Sequence, residues 1–255
     1  RLDMLRRGLI VGALIASIAG IAGYFNLIPG GRDLLTLYDR ARGTYKDPNV
    51  YAAFLVLPAL FTLQSVVSDR LGKAFRSSIA FGIISLAILL AFSRAAWGML
   101  ILTSGAMLAL MVLTSRSQSQ RSRIIVIALV TMVLAAALVA VLLSFDTVSQ
   151  LFKQRASLDQ SYDEGRFGRF GRHILGAEMA LGLPFGIGPL QFNRFFPEDT
   201  HNSYLNAFMS GGWLSGVCYP ALVFVTVLTS FRYVFVRVPW QPAFLAIFAA
   251  FLGTV

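Results

Sequence analysis

Six arginines and one histidine are the side chains of this 255-residue sequence best suited to chemistry. A guanidinium group binds phosphate oxygens through paired, charge-assisted hydrogen bonds, so a converging set of arginines suits a diphosphate. A neutral imidazole, whose ordinary pKa is about 6.5, can take a proton from a hydroxyl group near neutral pH. The arginines are Arg40, Arg42, Arg94, Arg166, Arg169 and Arg172, and the histidine is His201.

Long apolar stretches separate these residues and must position them. The chain is 56% hydrophobic with a mean hydropathy of +0.70, and only 13% of its residues are charged, against about 25% in soluble domains. Most uncharged stretches reach or approach the length of about 20 helical residues that crosses a bilayer. They cover residues 8–28, 49–68, 77–92, 95–115, 124–144 and 203–231, and a seventh begins near Trp240 and is cut off at Val255.

This pattern predicts an all-α, polytopic transmembrane helical bundle with six full spans, a truncated seventh and one long outer loop at 145–202. The first stretch has a basic start and small residues, which also fits a signal peptide, but the five spans that follow favour an ordinary span. We expect a single membrane-embedded domain over 1–255. Because residue 1 is Arg rather than Met, we expect the chain to be a fragment of a longer protein.

The charges predict the orientation in the membrane, because loops rich in Lys and Arg stay on the cytoplasmic side. The N-terminal segment and the loops at 69–76, 116–123 and 232–237 hold 11 basic residues against two acids. The loops on the other side also hold 11 basic residues, but against 10 acids. The six arginines and His201 are therefore expected to face outward, and most of the net charge of +10 reports topology rather than a nucleic-acid surface.

Each outward residue also has a structural interpretation. An arginine at the end of a span often extends into the headgroup layer, although six in three loops is a denser set than that requires. His201 precedes Asn202 and Ser203, which are natural N-cap residues, so its imidazole could simply bond the backbone at a helix start. On a helical projection His201 shares a face with Gly212, and Gly212 with Gly216 predicts a small-residue pair that lets two helices approach closely.

Four motifs follow one another along this side. They are RARGTYKDPN at 40–49, SRAA at 93–96, a stretch from Arg169 to Phe192 that contains HILG and LPFGIGPLQF, and HNSYLN with GGWLSG within 201–216. In this order they resemble the bacterial O-antigen ligase and O-antigen polymerase superfamily, including related exopolysaccharide polymerases. The resemblance covers about residues 38–220. Two features depart from the family: its members have more spans, and His173 stands where they often have an aromatic residue.

The resemblance implies a GT-C-like membrane glycosyltransferase of cell-surface polysaccharide or lipopolysaccharide biosynthesis. Its donor is a glycan on undecaprenyl diphosphate, and its acceptor is another glycan or lipid A–core. It acts on the periplasmic face of the bacterial inner membrane, without a metal or other cofactor. By spacing, Arg40 and Arg169 match the family best, and Arg94 joins them as a diphosphate ligand. Arg42, Arg166 and Arg172 share that role, His201 is the general base, and Asn202, Gly186, Gly188 and Gly212 support the motifs.

Other classes fit the residues less well. A glycoside hydrolase needs two carboxylates across the scissile bond, and the acidic pairs at 163–164 and 198–199 read equally well as solvated loop charges. Two histidines 28 residues apart and one cysteine do not make a zinc site. A transport path would place charged groups inside the spans, and the predicted spans carry no internal charge. A non-catalytic flippase, transporter or assembly scaffold for a lipid-linked glycan remains the alternative function.

Overall fold

The computed structural model of the chain describes residues 1–156 and 168–254. Within them the protein is all-helical apart from a small hairpin and one 3₁₀ turn, which confirms the predicted helical class. The chain divides into two units, Arg1–Ala156 with Tyr233–Val255, and Ser157–Arg232. We call them the first unit and the second unit.

The helices are α1 (Leu2–Tyr24), α2 (Gly31–Leu35), α3 (Pro48–Ser68), α4 (Leu71–Leu90), α5 (Arg94–Thr114), α6 (Gln118–Leu143), α7 (Asp146–Ala156), α8 (Arg169–Leu181), α9 (Ser203–Phe231) and α10 (Gln241–Thr254). Three of them, α3, α5 and α9, follow the predicted apolar stretches to within one residue, whereas α1, α4 and α6 each begin six residues earlier than predicted. Strands β1 (Thr36–Leu37) and β2 (Arg40–Ala41) form the hairpin, and Phe192–Arg194 is the 3₁₀ turn. In the described part of the chain α1, α3, α4, α5, α6 and α9 are long and apolar enough to cross a membrane. The six predicted spans are confirmed, and the protein is a multi-pass membrane protein.

Helix α3 is the centre of the first unit. In its most apolar stretch of 18 residues, 72% of the residues are buried. Helices α1, α4, α5 and α10 all pack against it. Tyr51, Leu55 and Leu60 on α3 are fully buried, and the Tyr51 hydroxyl donates a hydrogen bond to the Ala16 carbonyl on α1 at 3.2 Å. The start of α3 is capped by Asp47, whose carboxylate accepts from the Asn49 amide. This cap fixes where the hairpin chain enters the bundle.

The two ends of the first unit carry different loops. At one end the Arg6 Nη1 donates to the Gln64 Oε1 at 3.1 Å, and the Arg123 Nη2 donates to the Asp69 carbonyl. These bonds gather the N-terminal segment, the α3–α4 turn and the start of α6. The hairpin and the α4–α5 turn meet at the other end. Loops predicted to lie on opposite sides of the membrane therefore lie at opposite ends of this unit, and their cytoplasmic and periplasmic assignment stays a prediction.

The second unit packs α8 against the first half of α9. Its core consists of Ala180, Phe192, Phe196, Leu205 and Met209, with the two phenylalanine rings stacked at a centroid distance of 4.4 Å. The sequence predicts a short helix over residues 174–183 followed by a sharp turn. The helix is longer toward its start, because it begins at Arg169, and the chain does turn after it.

Helix α9 is broken, which the sequence does not predict. Gly212 has φ 70° and ψ −159°, outside the helical region, so α9 consists of two helical segments on either side of it. Gly212 packs against the loop at 184–186, and a Cβ on Gly216 would meet the Phe208 ring of the same helix; the close approach of a second helix at this pair stays a prediction. The shared helical face of His201 and Gly212 is wrong, because α9 begins only at Ser203.

Candidate functional site

Arg40 lies on the hairpin at the outer end of the first unit and is only 7% exposed. The hairpin turns through Tyr38 and Asp39, both with positive φ (53° and 55°), as a two-residue turn between twisted strands requires. The Arg40 Nε donates to the Ala91 carbonyl at 2.7 Å, and its Nη2 donates to the Asn49 Oδ1 at 2.8 Å. Arg40 therefore ties the hairpin to the C-terminal end of α4, where a cation is favoured, and to the start of α3.

Arg94 lies close to Arg40, because it follows Ala91 by only three residues in the chain. It is half-buried at the first position of α5, where the Ser93 hydroxyl caps the helix by accepting from the Ala96 amide. Since Arg40 bonds Ala91, it contacts the short turn that leads into Arg94. Arg42, also half-buried, donates from its Nη2 to the Leu34 carbonyl at 3.0 Å. The structure thus gathers three predicted arginines at one end of the first unit.

A cavity of about 240 Å³ opens beside this hairpin. Arg32 and Asp39 form an ion pair in its wall, with 2.8 Å between Nη2 and Oδ1, so the charges of the lining balance. The pair uses one nitrogen and one oxygen, which leaves further donors and acceptors beside the aromatic rings. Tyr24, Phe25, Asn26, Arg32, Thr36, Asp39, Phe145 and Val148 line it. No role is predicted for these residues from the sequence, because they come from three separate stretches of the chain, 24–26, 32–39 and 145–148.

In the second unit, two neighbouring side chains of α8 hold the segment before α9. Arg172 is 4% exposed and forms an ion pair with Glu198, with 2.7 Å between Nη2 and Oε2. The His173 Nε2 donates to the Thr200 carbonyl at 2.6 Å, because a carbonyl oxygen can only accept. His173 therefore holds the Thr200 segment in place, while Arg172 is bound to a carboxylate that the sequence pattern left open as a solvated loop charge.

His201 follows directly and is held differently. Its backbone has φ 47°, in the left-handed region that few non-glycine residues occupy. Asn202 is the N-cap of α9, and its side chain accepts from the amides of Tyr204 and Leu205, which confirms the predicted cap. The imidazole itself is exposed, and in the described ranges no hydrogen bond to it is recorded. Both neighbours of His201 are fixed, and its ring is available to a ligand.

The loop at 184–188 fills the break in α9. The amides of Ile187 and Gly188 donate to the carbonyls of Met209 and Ser210, and the Trp213 amide donates back to the Pro184 carbonyl. A Cβ on Gly186 would lie 2.6 Å from the Gly212 nitrogen, and a Cβ on Gly212 would lie 2.1 Å from the Pro184 oxygen.

The predicted motif glycines therefore belong to one contact, between the loop at 184–188 and the break in α9 at Gly212, which we call the joint. Gly186, Gly188 and Gly212 all have positive φ, and two of them are packed backbone against backbone. Both glycine groups are visible in the sequence, but their contact is not. The signal that could have revealed it is the pairing of a Gly-x-Gly loop with a Gly-Gly step inside a span.

Two predicted arginines remain without a described side chain. Arg166 lies outside the described residues, and of Arg169 only the backbone, at the first position of α8, is described. The convergence of all six arginines on one diphosphate stays a prediction. Across residues 1–156 and 168–254, no three His, Cys, Asp or Glu side chains are grouped as metal ligands would be. Metal-independent activity is likewise untested.

Comparison of the chain with protein-family models, with curated proteins and with solved structures finds no match.

Proposed function

We propose that the protein is a membrane glycosyltransferase that moves a glycan from undecaprenyl diphosphate to an acceptor hydroxyl at the periplasmic face of the bacterial inner membrane. The reaction is of the O-antigen ligase or polymerase type. The observation that carries the proposal is His201, an exposed imidazole on a left-handed backbone between two fixed residues. Unusual backbone conformations of this kind concentrate at active sites, where the surrounding structure maintains them.

His201 acts as the general base. Its imidazole takes the proton of the acceptor hydroxyl while that oxygen forms a bond to the anomeric carbon of the donor sugar. The bond from the same carbon to the diphosphate oxygen breaks, and the electron pair leaves with undecaprenyl diphosphate. Attack from the face opposite the leaving group inverts the anomeric centre.

Arginines stabilise the charge that grows on the leaving diphosphate. Arg94 is more exposed than Arg40 and lies at the N-terminus of α5, so we assign it the direct contact, with Arg42, Arg166 and Arg169 as further ligands. Arg172 is buried and paired with Glu198, so we assign it to holding the segment before His201. Arg40 positions the turn that leads into Arg94, through its bond to Ala91. Removing one group that stabilises transition-state charge typically costs about 3–4 kcal/mol.

The cavity beside the hairpin suits a sugar of the same substrate. Its ion pair and the Asn26 amide supply donors and acceptors for hydroxyl groups, and the rings of Tyr24 and Phe25 supply an apolar surface. Because its charges balance, it favours a neutral ring over a phosphate. We assign it to a sugar unit of the glycan.

Glycan transfer by the purified full-length protein in liposomes tests the proposal. The assay supplies an undecaprenyl-diphosphate-linked glycan and competing lipid-linked and lipid A–core acceptors, and it measures new glycosidic bonds. His201→Asn suits it because asparagine also tolerates a left-handed backbone. We expect the rate to fall about 10²–10⁴-fold, the usual contribution of a general base, with donor binding retained.

Glu178→Gln is the matched control, since Glu178 is an exposed residue of α8 in the same unit; its rate should equal that of the unchanged protein. Full transfer by His201→Asn would remove the base assignment. Donor binding without any new glycosidic bond in the unchanged protein would instead favour a flippase or an assembly scaffold.

A further inference from the structure

An apolar groove runs between α4 and α6, starting from the end of the first unit that is opposite to Arg40. It encloses about 460 Å³, and its walls carry Phe75, Phe81 and Gly82 from α4 and Val130 and Leu134 from α6. Only a few hydroxyl groups and Arg123 interrupt this apolar lining. One of them, the Ser78 hydroxyl, donates to the Ala74 carbonyl of its own helix, which removes a polar group from the wall.

The groove has one charged end. Arg123 lines it near the start of α6, and its Nη2 bonds the Asp69 carbonyl in the α3–α4 turn. That turn borders a polar cavity of about 480 Å³ lined by Arg70, Lys73 and Arg76 together with Asp69. Four basic side chains therefore stand against one carboxylate at this end, which we call the basic end.

The groove is long enough to extend across one leaflet of a bilayer. Its lining runs from Leu71 to Ser85 on α4 and from Arg123 to Leu138 on α6, which at 1.5 Å per residue is about 20 Å. Half of a hydrocarbon core is about 15 Å. A molecule with its polar group at the basic end would thus lay its chain along one leaflet.

We propose that this groove binds one anionic membrane phospholipid, with an acyl chain between α4 and α6 and its phosphate at the basic end. The apolar walls exclude a soluble ligand, and the surplus of basic side chains discriminates against a zwitterionic headgroup. Within the first unit the site lies away from Arg40, Arg42 and Arg94, which are at the other end, so it goes beyond the proposed function and does not depend on it.

Gly82 offers a direct way to fill the groove. It lines the groove, and a Cβ built on it meets no atom within 4 Å, so the added side chain of Gly82→Leu starts into open space there. Gly105→Leu on α5 is the matched control, since a Cβ there is equally unhindered and Gly105 does not line the groove. Native mass spectrometry of the full chain in micelles with phosphatidylglycerol or phosphatidylethanolamine counts the retained lipids. We expect one retained phosphatidylglycerol, its loss in Gly82→Leu and its retention in Gly105→Leu.

The headgroup is tested by charge removal at the basic end. Arg123→Gln and Lys73→Gln should each lower phosphatidylglycerol retention about fivefold, the change expected for one basic residue near an anionic headgroup. Lys73 is included because Arg123 also holds the α3–α4 turn. Arg7→Gln, an exposed residue of α1, should change nothing. Equal retention of both lipids, unchanged retention in Gly82→Leu, or displacement by an equal amount of undecaprenyl phosphate would each overturn the proposal.

Discussion

The first unit and the second unit fix their polar groups by different means. In the first, a long side chain reaches across helices, since Arg40 on the hairpin bonds Ala91 after α4 and Asn49 on α3. In the second, backbone meets backbone, where the loop at 184–188 fills the break in α9. A side-chain bond can be replaced in part by a similar residue. A backbone contact leaves no room even for a methyl group.

Gly212→Ala should give the largest loss of stability. The alanine must adopt φ 70° and place its Cβ against the Pro184 carbonyl. We expect the free energy of unfolding in mixed micelles to fall by about 3 kcal/mol or more, from about 1–3 for a backbone conformation that is essentially restricted to glycine and about 1–3 for overpacking.

Gly105→Ala provides the control for that change, since Gly105 lies within α5 with open space around it. There alanine should stabilise by about 0.5–1 kcal/mol through the smaller entropy loss in a helix. If Gly212→Ala and Gly105→Ala both changed the free energy of unfolding in the same direction, close backbone packing between the loop at 184–188 and α9 would not explain the effect at Gly212.

Arg40→Met should have the second largest effect. It removes the guanidinium but keeps much of the apolar stem, and it leaves the Ala91 carbonyl and the Asn49 amide oxygen without this donor. Loss of hydrogen bonds to a charged group typically costs about 1.5–3 kcal/mol. Equilibrium unfolding should show a loss in this range, and Arg40→Lys should recover part of it.

The exposed Arg7 serves as the matched position for that substitution. Arg7→Met should change the unfolding free energy by no more than about 0.5 kcal/mol. If Arg40→Lys lost as much stability as Arg40→Met, the hairpin would depend on the two separate donors of the guanidinium group. The length and charge of the side chain alone would then not be enough.

Asn202→Ala should have the smallest effect on stability. It removes the side-chain acceptor of the Tyr204 and Leu205 amides, a cap worth about 1 kcal/mol. Asn202→Asp should retain the cap, because its carboxylate also accepts and is favoured at a helix N-terminus. Thermal unfolding separates the two variants, and equal damage by both would mean that the cap contributes little.

Local sequence patterns predicted most of the helices. The predicted spans 49–68 and 95–115 differ from α3 and α5 by one residue at most at either end, because apolar length and capping residues act locally. Asn202 was predicted as a cap for the same reason. The break at Gly212 could not be predicted in this way, since it depends on a loop more than 20 residues earlier in the chain.

The candidate site was also predictable only in its local features. Its arginines and His201 stand out by residue type, but their partners come from distant segments. The Ala91 carbonyl is 51 residues from Arg40, and Glu198 is 26 residues from Arg172. A backbone carbonyl has no signature in the sequence, so the burial of Arg40 had no visible cause there.

The joint in α9 also determines how this region opens to solvent. The amides of Ile187, Gly188 and Trp213 depend on one another, because the loop and the helix break each supply the partner of the other. Withdrawing the loop breaks all three bonds in one event. These amides should therefore exchange their hydrogens for deuterium together, as a single cooperative opening rather than by fraying from a helix end.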